Sequence, residues 1–258
     1  MTRPEIYLIL ILLTALVLAG VFYWQSNQPT QVSSSPSSLQ NASPSPTENE
    51  ALSYAPPIVT KDEIFRGNSD KKQIIFTFDA GAGVNSAQKI LETAKNHNLK
   101  LTFFSTGKFA QINPDLIKQI VAAGHEIFNH TYSHPHLTQL TDDQIKEELQ
   151  KAETTISNLT GATTKPYFRP PFGDRNTHVL EAAAETGYRS VFWTLDALDW
   201  QPDKTAQGVK QRIYDNLRNG AIILMHVGDD ITGDILDEVF TNIENQGYKI
   251  IGLNEGLK

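Results

Sequence analysis

The stretch QIIFTFDAG, residues 73–81, decides the fold, because it is a short apolar and β-branched run that ends in a carboxylate and a glycine. Such a run is typical of a strand buried on both faces of a parallel sheet. In barrels of parallel strands, the side chains at the C-terminal strand ends meet at one face, where barrel enzymes carry out their chemistry. The stretch therefore predicts a buried strand with a functional carboxylate, Asp79, at its end.

Similar apolar runs recur along the chain and predict six more strands, over residues 101–105, 126–130, 167–169, 190–195, 221–226 and 248–253. Helical patterns fill the gaps, with start signals such as Asn113-Pro114 and the capping box Thr141–Gln144. Strands that alternate with helices make βαβ units and a parallel sheet. The pattern allows an open doubly wound sheet or a closed barrel. Polar residues at many strand ends favour the barrel, because an open sheet concentrates its site near one switch point.

The N-terminus predicts a membrane anchor. Residues 6–24 are almost unbroken apolar, and about 20 such residues span a bilayer as a helix. Arg3 precedes the run and no Lys or Arg follows before Lys61, so the N-terminus is expected in the cytoplasm and the remainder outside. A cleaved signal peptide is the main alternative. We expect a transmembrane anchor over residues 1–24, a disordered Ser/Pro-rich linker over 25–61 and a folded domain over 62–258.

Composition excludes several classes. The chain has no cysteine, which excludes disulfides, Cys-ligated zinc and thiol catalysis. Its net charge of −7 and the absence of Lys/Arg clusters argue against nucleic acid as a partner. We expect a monomer.

Five chemically active side chains stand at the ends of five predicted strands: Asp79, His130, Arg169, Asp196 and His226. A hydrophobic core needs none of them there, so the pattern indicates an active site assembled by the fold. His130 and His134 are four residues apart, a spacing that places both rings on one side of a helical turn and suits a two-His metal site. A solvated loop or an N-cap network is the alternative.

The remaining residues suggest acid–base chemistry. Asp79 suits a general base, and Arg169 could pair with it and keep it ionised. His226 could act as the acid if Asp196 or Asp199 pairs with it and tunes its pKa. Together with a metal, these groups suggest metal-assisted hydrolysis, in which a carboxylate activates water and an imidazolium protonates the leaving group.

Five ordered motifs resemble those of the polysaccharide deacetylases of the NodB-homology type, carbohydrate esterase family 4. TFDAG (77–81) is similar to the family's TFDDG, and His130-Thr-Tyr-Ser-His134 to its H-[ST]-x-x-H. The other three are Arg169-Pro-Pro-Phe-Gly173, similar to R-x-P-[YF]-G, Asp196-Ala-Leu-Asp-Trp200, similar to D-x-x-D-W, and Leu224-Met-His226, similar to L-x-H. The resemblance runs from about Lys72 to the C-terminus and implies an α/β fold, a distorted (β/α) barrel with about seven parallel strands.

The resemblance also implies roles. Asp79 is the expected base, His226 the acid, Arg169 the residue that orients Asp79, and Asp196 the carboxylate that tunes His226. His130 and His134 are the expected ligands of a divalent metal, with zinc the predicted ion. The expected substrate-binding residues are Phe172, Trp200 and Leu224. The backbone amide of Phe172 would help hold the oxyanion.

One position departs from the family pattern. The second Asp of the family's first motif ligates the metal, and Ala80 stands there. A methyl group cannot coordinate, and a catalytic zinc usually has three protein ligands. Asp229 and Asp230 are candidate surrogates by sequence position, and Asp79 is a third.

These observations predict an extracellular, membrane-anchored, metal-dependent deacetylase that removes N-acetyl groups from peptidoglycan GlcNAc or MurNAc. The alternative from another class is a non-catalytic glycan-binding barrel that has lost its metal. A deacetylase of an exported glycan in biofilm synthesis would keep the chemistry and change the polymer.

Overall fold

The computed structural model describes residues 63–258. The predicted transmembrane anchor and linker lie outside this range. Within it, no helix is both long and apolar enough to cross a membrane. The described part forms an α/β fold around a curled sheet of parallel strands, which confirms the predicted class with about seven parallel strands.

Eight strands make up the sheet across residues 63–258: β1 (Gln73–Ala80), β2 (Thr102–Ser105), β3 (Glu126–Asn129), β4 (Tyr167–Phe168), β5 (Arg189–Ser190), β6 (Leu195–Asp196), β7 (Ala221–His226) and β8 (Lys249–Ile251). The α-helices of the same range are α1 (Ala87–Asn96), α2 (Gly107–Ile112), α3 (Pro114–Ala122), α4 (Asp142–Thr160), α5 (Thr177–Glu185), α6 (Ala206–Asp215), α7 (Asp230–Asn245) and α8 (Leu253–Gly256). The predicted capping box begins α4, where Thr141 and Gln144 exchange side-chain-to-backbone hydrogen bonds.

Strand β1 lies at the centre of the sheet. It pairs with β7 along one edge, and with β8 and then β2 along the other. The order continues through β3 and β4 to β5, and β6 adds to the far side of β7. All these pairings are parallel, as the helix in almost every gap predicts.

The strand predicted over residues 190–195 is wrong as a single element. Its first part forms β5 and pairs with β4, whereas its last part forms β6 and pairs with β7. Residues 191–194 connect β5, the first strand in the order of the sheet, to β6, the last. This segment therefore brings the two ends of the curled sheet together.

Residues 63–66, which we call the bridging segment, supply part of the backbone pairing between β5 and β6. Ile64 N–H donates to Ser190 O at 2.9 Å, and Phe192 N–H donates to Ile64 O at 2.8 Å. Arg66 forms an antiparallel bridge with Ala221 of β7. Buried backbone groups need such partners, so the first described residues are an integral part of the sheet.

Alternation along β1 decides which residues face the site. Ile74, Phe76 and Phe78 pack in the large apolar cluster between the sheet and the helices. Ile75 packs on the opposite, inner side, among residues such as Phe104 and Ile222. Successive side chains of a strand point to opposite faces, so Asp79 falls on the inner side at the C-terminal end. Ala80 belongs to the helix-facing cluster and is 0% exposed.

Candidate active site

A cavity of about 660 Å³ opens at the C-terminal ends of the strands. It collects every sequence-predicted site residue except Arg169, which lies buried behind Asp79. The cavity is lined by Asp79, Gly81, Ala82, His130, His134, Pro170, Phe172, Gly173, Trp193, Asp196, Trp200, Leu224, His226, Gly228 and Asp229.

Asp79 and Arg169 form a buried ion pair at the base of this cavity. Arg169 Nη1 donates to Asp79 Oδ1 at 2.7 Å, and the two side chains are 0% and 8% exposed. Burial alone would raise the pKa of Asp79, but the charge of Arg169 and its hydrogen bond outweigh burial and hold this pKa below its usual value. Asp79 is therefore ionised at neutral pH, as a general base must be.

The guanidinium of Arg169 has little freedom to move. Its Nε donates to Val191 O and its Nη2 donates to Phe192 O, both at 3.2 Å. Its central carbon lies 4.2 Å from the ring centroid of Phe104. Because Arg169 is held on three sides, it fixes the orientation of the Asp79 carboxylate.

His130 and His134 both line the cavity and pack edge to face, with ring centroids 4.8 Å apart. His130 Nδ1 lies 2.9 Å from the backbone oxygen of Arg169, which only a protonated Nδ1 can satisfy, so its Nε2 is left facing Asp79 Oδ2 at 3.4 Å. Burial lowers the pKa of His130, and it lowers that of His134 to about 4. Both imidazoles are neutral near pH 7, the state in which His binds a metal.

The backbone between these two histidines is strained and is held by a carboxylate from α4. Thr131 and His134 have left-handed φ angles of 65° and 63°, which non-glycine residues rarely adopt. Glu148 Oε2 accepts from Tyr132 N–H at 2.9 Å and from Ser133 N–H at 2.7 Å. These bonds offset the strain and set the relative orientation of the two rings.

Within residues 63–258, each carboxylate considered as a third metal ligand already has a partner. Asp79, whose Oδ2 lies 3.4 Å from His130 Nε2, is held by Arg169. Asp229 accepts from Lys204 Nζ at 2.7 Å and caps α7, and Asp230 accepts from Asn85 Nδ2 at 2.6 Å, so the two candidate surrogates are already engaged. In residues 63–258, no group of three His, Cys, Asp or Glu side chains is arranged to hold a metal ion. Two imidazoles and the methyl group of Ala80 do not fit the three-ligand zinc set.

His226 pairs with Asp199, which corrects the expectation that Asp196 tunes it. Asp199 is 0% exposed, and its Oδ1 lies 2.8 Å from His226 Nδ1 while its Oδ2 accepts from His226 N–H at 2.7 Å. Leu198, at φ 57°, turns the chain between the two carboxylates. That turn directs Asp199 back toward His226, and Asp196 instead accepts from Leu198 N–H and Trp200 Nε1–H.

This pairing prepares His226 as an acid. Burial alone would lower the pKa of His226, but the hydrogen bond and the charge of Asp199 outweigh it and raise this pKa above its usual value. Asp79 and His226 are register partners on β1 and β7. An ionised base therefore stands beside an imidazole that holds its proton more tightly than a free histidine.

Replacement of Asp199 by Asn should move the alkaline limb of the pH–activity profile to lower pH. The carboxamide removes the charge that raises the pKa of His226, so the imidazolium is lost at lower pH. The measurement is the initial rate of acetate release between pH 5 and 10. An alkaline limb in the same place would show that His226 is not the acid.

Aromatic side chains rim the cavity. Phe172 and Trp200 are 61% and 51% exposed and both line the cavity. Trp200 Nε1–H donates to Asp196 Oδ2 at 3.2 Å, so Asp196 supports the indole. Phe172 stacks on His136 with ring centroids 4.3 Å apart. Flat exposed rings of this kind suit the apolar faces of sugars.

Comparison with known proteins agrees with this geometry. Residues 66–191 match the polysaccharide deacetylase family. The peptidoglycan-N-acetylmuramic acid deacetylase PdaA of Bacillus subtilis (strain 168) is 35% identical over 198 residues, 75% of this chain and 74% of PdaA. A peptidoglycan-N-acetylglucosamine deacetylase of Bacillus cereus is 33% identical over 73% of this chain and 70% of its own length.

A solved relative bears on the question of activity. The crystal structure of a pseudoenzyme of carbohydrate esterase family 4 from Bacillus anthracis superposes with a TM-score of 0.72 and 33% identity, covering 76% of this chain and 69% of that one. The fold, the site and these relatives together define a hydrolase of the carbohydrate deacetylase class. The chain belongs to the polysaccharide deacetylase family, the NodB-homology domains of carbohydrate esterase family 4.

Proposed function

We propose that this protein is a membrane-anchored extracellular deacetylase that hydrolyses the N-acetyl groups of GlcNAc or MurNAc in cell-wall peptidoglycan. The observation that carries the proposal is the adjacent placement of two tuned groups, Asp79 held by Arg169 and His226 held by Asp199. A chain that only binds glycan has no need of a depressed carboxylate pKa beside a raised imidazole pKa.

The chain's own residues support each proton movement of an amide hydrolysis. Asp79 takes a proton from a water molecule while the oxygen of that water attacks the acetyl carbon. Phe172 lines the cavity, and by the family resemblance its backbone N–H donates to the oxyanion that develops. His226 then gives its proton to the sugar nitrogen as the C–N bond breaks, which releases acetate and a free amine.

A divalent metal, zinc by expectation, would polarise the acetyl carbonyl if it bound at His130 and His134. These two residues supply fewer than the usual three protein ligands, so metal binding stays a prediction. The metal content of the purified protein and its response to a chelator are the direct measurements.

The substrate is tested by acetate release from purified peptidoglycan and from chitin oligomers. We expect release from both GlcNAc-containing polymers, with peptidoglycan preferred, because two relatives are named for peptidoglycan deacetylation. Mass spectrometry of the digested product then shows whether GlcNAc or MurNAc carries the free amine. Release from chitin oligomers alone would argue for another GlcNAc polymer.

The second candidate function is binding of glycan without turnover. Ala80 at the position of a family metal ligand and the fold's similarity to a pseudoenzyme favour it. Retention on insoluble peptidoglycan with no acetate release at any added zinc concentration would establish this alternative.

The proposed location predicts a protease result on intact cells. Arg3 precedes the apolar run and no positive charge follows before Lys61, so the folded domain is expected outside the membrane. Added protease should cut the Ser/Pro-rich linker and release a fragment that starts near Glu50. A domain that stays protected until the cells are lysed would contradict this location.

A further inference from the structure

A second buried ion pair lies outside the cavity, between the bridging segment and the chain that follows β4. Arg175 Nε donates to Glu63 Oε1 at 2.5 Å, and the two side chains are 1% and 0% exposed. Ser190 Oγ–H donates to the same oxygen at 2.8 Å. Neither charged residue takes part in the proposed reaction. Because desolvation offsets most of the attraction in a buried ion pair, stability alone does not explain its presence.

Arg175 connects this pair to the loop that carries Phe172. Its Nη1 donates to the backbone oxygen of Gly173 at 3.1 Å. Its central carbon lies 3.6 Å from the ring centroid of Phe192. The guanidinium is planar and is held by a carboxylate, a carbonyl and an aromatic face, so it has one orientation. The position of Gly173 O therefore depends on the position of the Glu63 carboxylate, through Arg175.

The loop Pro171–Gly173, which we call the oxyanion loop, needs such support. Phe172 and Gly173 both have left-handed φ angles, 59° and 66°. The conformation of Phe172 is unfavourable for a residue with a side chain and persists only where its surroundings hold it. A Cβ atom built on Gly173 would lie 2.8 Å from Trp193 Cη2 and 2.9 Å from Phe192 Cε2, so the loop sits directly against these rings.

The sheet fixes the position of Glu63, the residue at the start of this chain of contacts. Ile64, next to Glu63, exchanges backbone hydrogen bonds with the segment that contains Phe192. Within residues 63–258, Glu63 Oε2 and Arg175 Nη2 make no hydrogen bond, so a single N–O contact carries the ion pair. If this contact is lost by substitution of either residue, no second hydrogen bond between Glu63 and Arg175 replaces it.

We propose that Glu63 and Arg175 are positioning residues that set the Phe172 amide in the oxyanion loop. The bridging segment, where the N-terminal region joins the domain, is thereby part of the catalytic apparatus although it lies outside the cavity. This inference rests on the proposed function for its kinetic consequence. Its structural content, that the Glu63 carboxylate orients the Phe172 amide, can be tested on an inactive protein as well.

The kinetic test is Glu63→Gln in the full chain, with Glu238→Gln as the matched control. Glu238 pairs with Lys210 on the surface and is 63% exposed. An oxyanion contact forms only in the transition state, so Glu63→Gln should lower kcat by roughly 10- to 100-fold and leave KM unchanged. The control should change neither constant. A rise in KM with kcat intact, or unchanged kinetics, would overturn the proposal.

The second readout does not depend on turnover. With phenylalanine labelled by ¹⁵N, the amide resonance of Phe172, assigned through Phe172→Tyr, should shift in Glu63→Gln and stay in place in Glu238→Gln. If wild type releases no acetate, the proposed function fails but this comparison still decides the inference. A Phe172 resonance that does not respond to Glu63→Gln would refute it whatever the activity.

A double variant covers the chance that the single variant does not fold, because Glu63→Gln leaves a buried guanidinium without its counter-charge. Glu63→Gln combined with Arg175→Gln removes both charges together. If Glu63 sets the Phe172 amide through Arg175, the double variant should still shift the Phe172 resonance from its wild-type position and lose kcat by roughly 10- to 100-fold. A wild-type resonance and wild-type kcat in the folded double variant would contradict the connection.

Discussion

Asp79→Asn should lower acetate release by on the order of 10²-fold or more, because the carboxamide cannot take the proton from the attacking water. The same change should destabilise the fold, although Asp79 stands at the cavity. Arg169 is 0% exposed and its carboxylate partner would be gone, and breaking a buried pair typically costs about 3–5 kcal/mol. The measurements are acetate release and urea unfolding of the same preparation.

Asp234→Asn is the matched control for this variant. Asp234 pairs with Lys89 on the surface, with both side chains 59% exposed. Exposed pairs contribute about 0–1 kcal/mol, so neither activity nor stability should change measurably. If Asp79→Asn kept near-normal turnover, Asp79 would not be the base. If Asp79→Asn had the same free energy of unfolding as wild type, the negative charge of Asp79 would not contribute to the stability of the fold.

Ala80→Asp restores the residue that ligates the metal in the family's first motif, so by that resemblance it should complete a two-His, one-carboxylate set and raise zinc affinity. Without metal the variant should be less stable than wild type, because Ala80 is 0% exposed in the helix-facing cluster and a carboxylate there is desolvated. Zinc at 100 times its Kd would then return about 2.7 kcal/mol of stability. Zinc titration and thermal unfolding with and without zinc measure both effects.

Ala80→Asn separates ligation from size. It adds nearly the same volume but a far weaker ligand, so it should be destabilised without a comparable gain in zinc affinity. Acetate release at low zinc should rise in Ala80→Asp and not in Ala80→Asn. If wild type already binds zinc as tightly as Ala80→Asp, another group serves as the third ligand and the interpretation of Ala80 is wrong.

Much of the fold is predictable from the sequence, because local pattern and tertiary structure agree over most of the strands and helices. The buried run that ends at Asp79, the strand that ends at His226 and the helix that begins at the Thr141–Gln144 capping box all follow from periodicity and caps. Parallel βαβ units then place the C-terminal strand ends on one face. For this reason Asp79, His130 and His226 are predictable around one cavity from the strand pattern, whereas Phe172 is expected there only from the family resemblance.

The errors and omissions arise from non-local pairing and from single backbone angles. The run over residues 190–195 looks like one strand, because hydrophobic pattern does not show that its two ends pair with different neighbours. The choice between Asp196 and Asp199 depends on the left-handed turn at Leu198, which the residue type does not suggest.

The pairing of Glu63 with Arg175 spans 112 residues and had no sequence signal. The role of Glu148 was missed for a similar reason, since a surface-spaced glutamate in a helix gives no sign that a distant loop needs its oxygens. Such contacts are set by how the finished elements pack, which a linear pattern does not record.

The most direct test of the central claim is acetate release by wild type and Asp79→Asn, side by side, from peptidoglycan and from chitin oligomers, with zinc added and with zinc chelated. A carboxylate–imidazole hydrolase predicts release by wild type well above that of Asp79→Asn on at least one polymer, with free amines on the product sugars. Equal release by the two proteins at every zinc concentration would contradict catalysis at this site and leave a glycan-binding barrel.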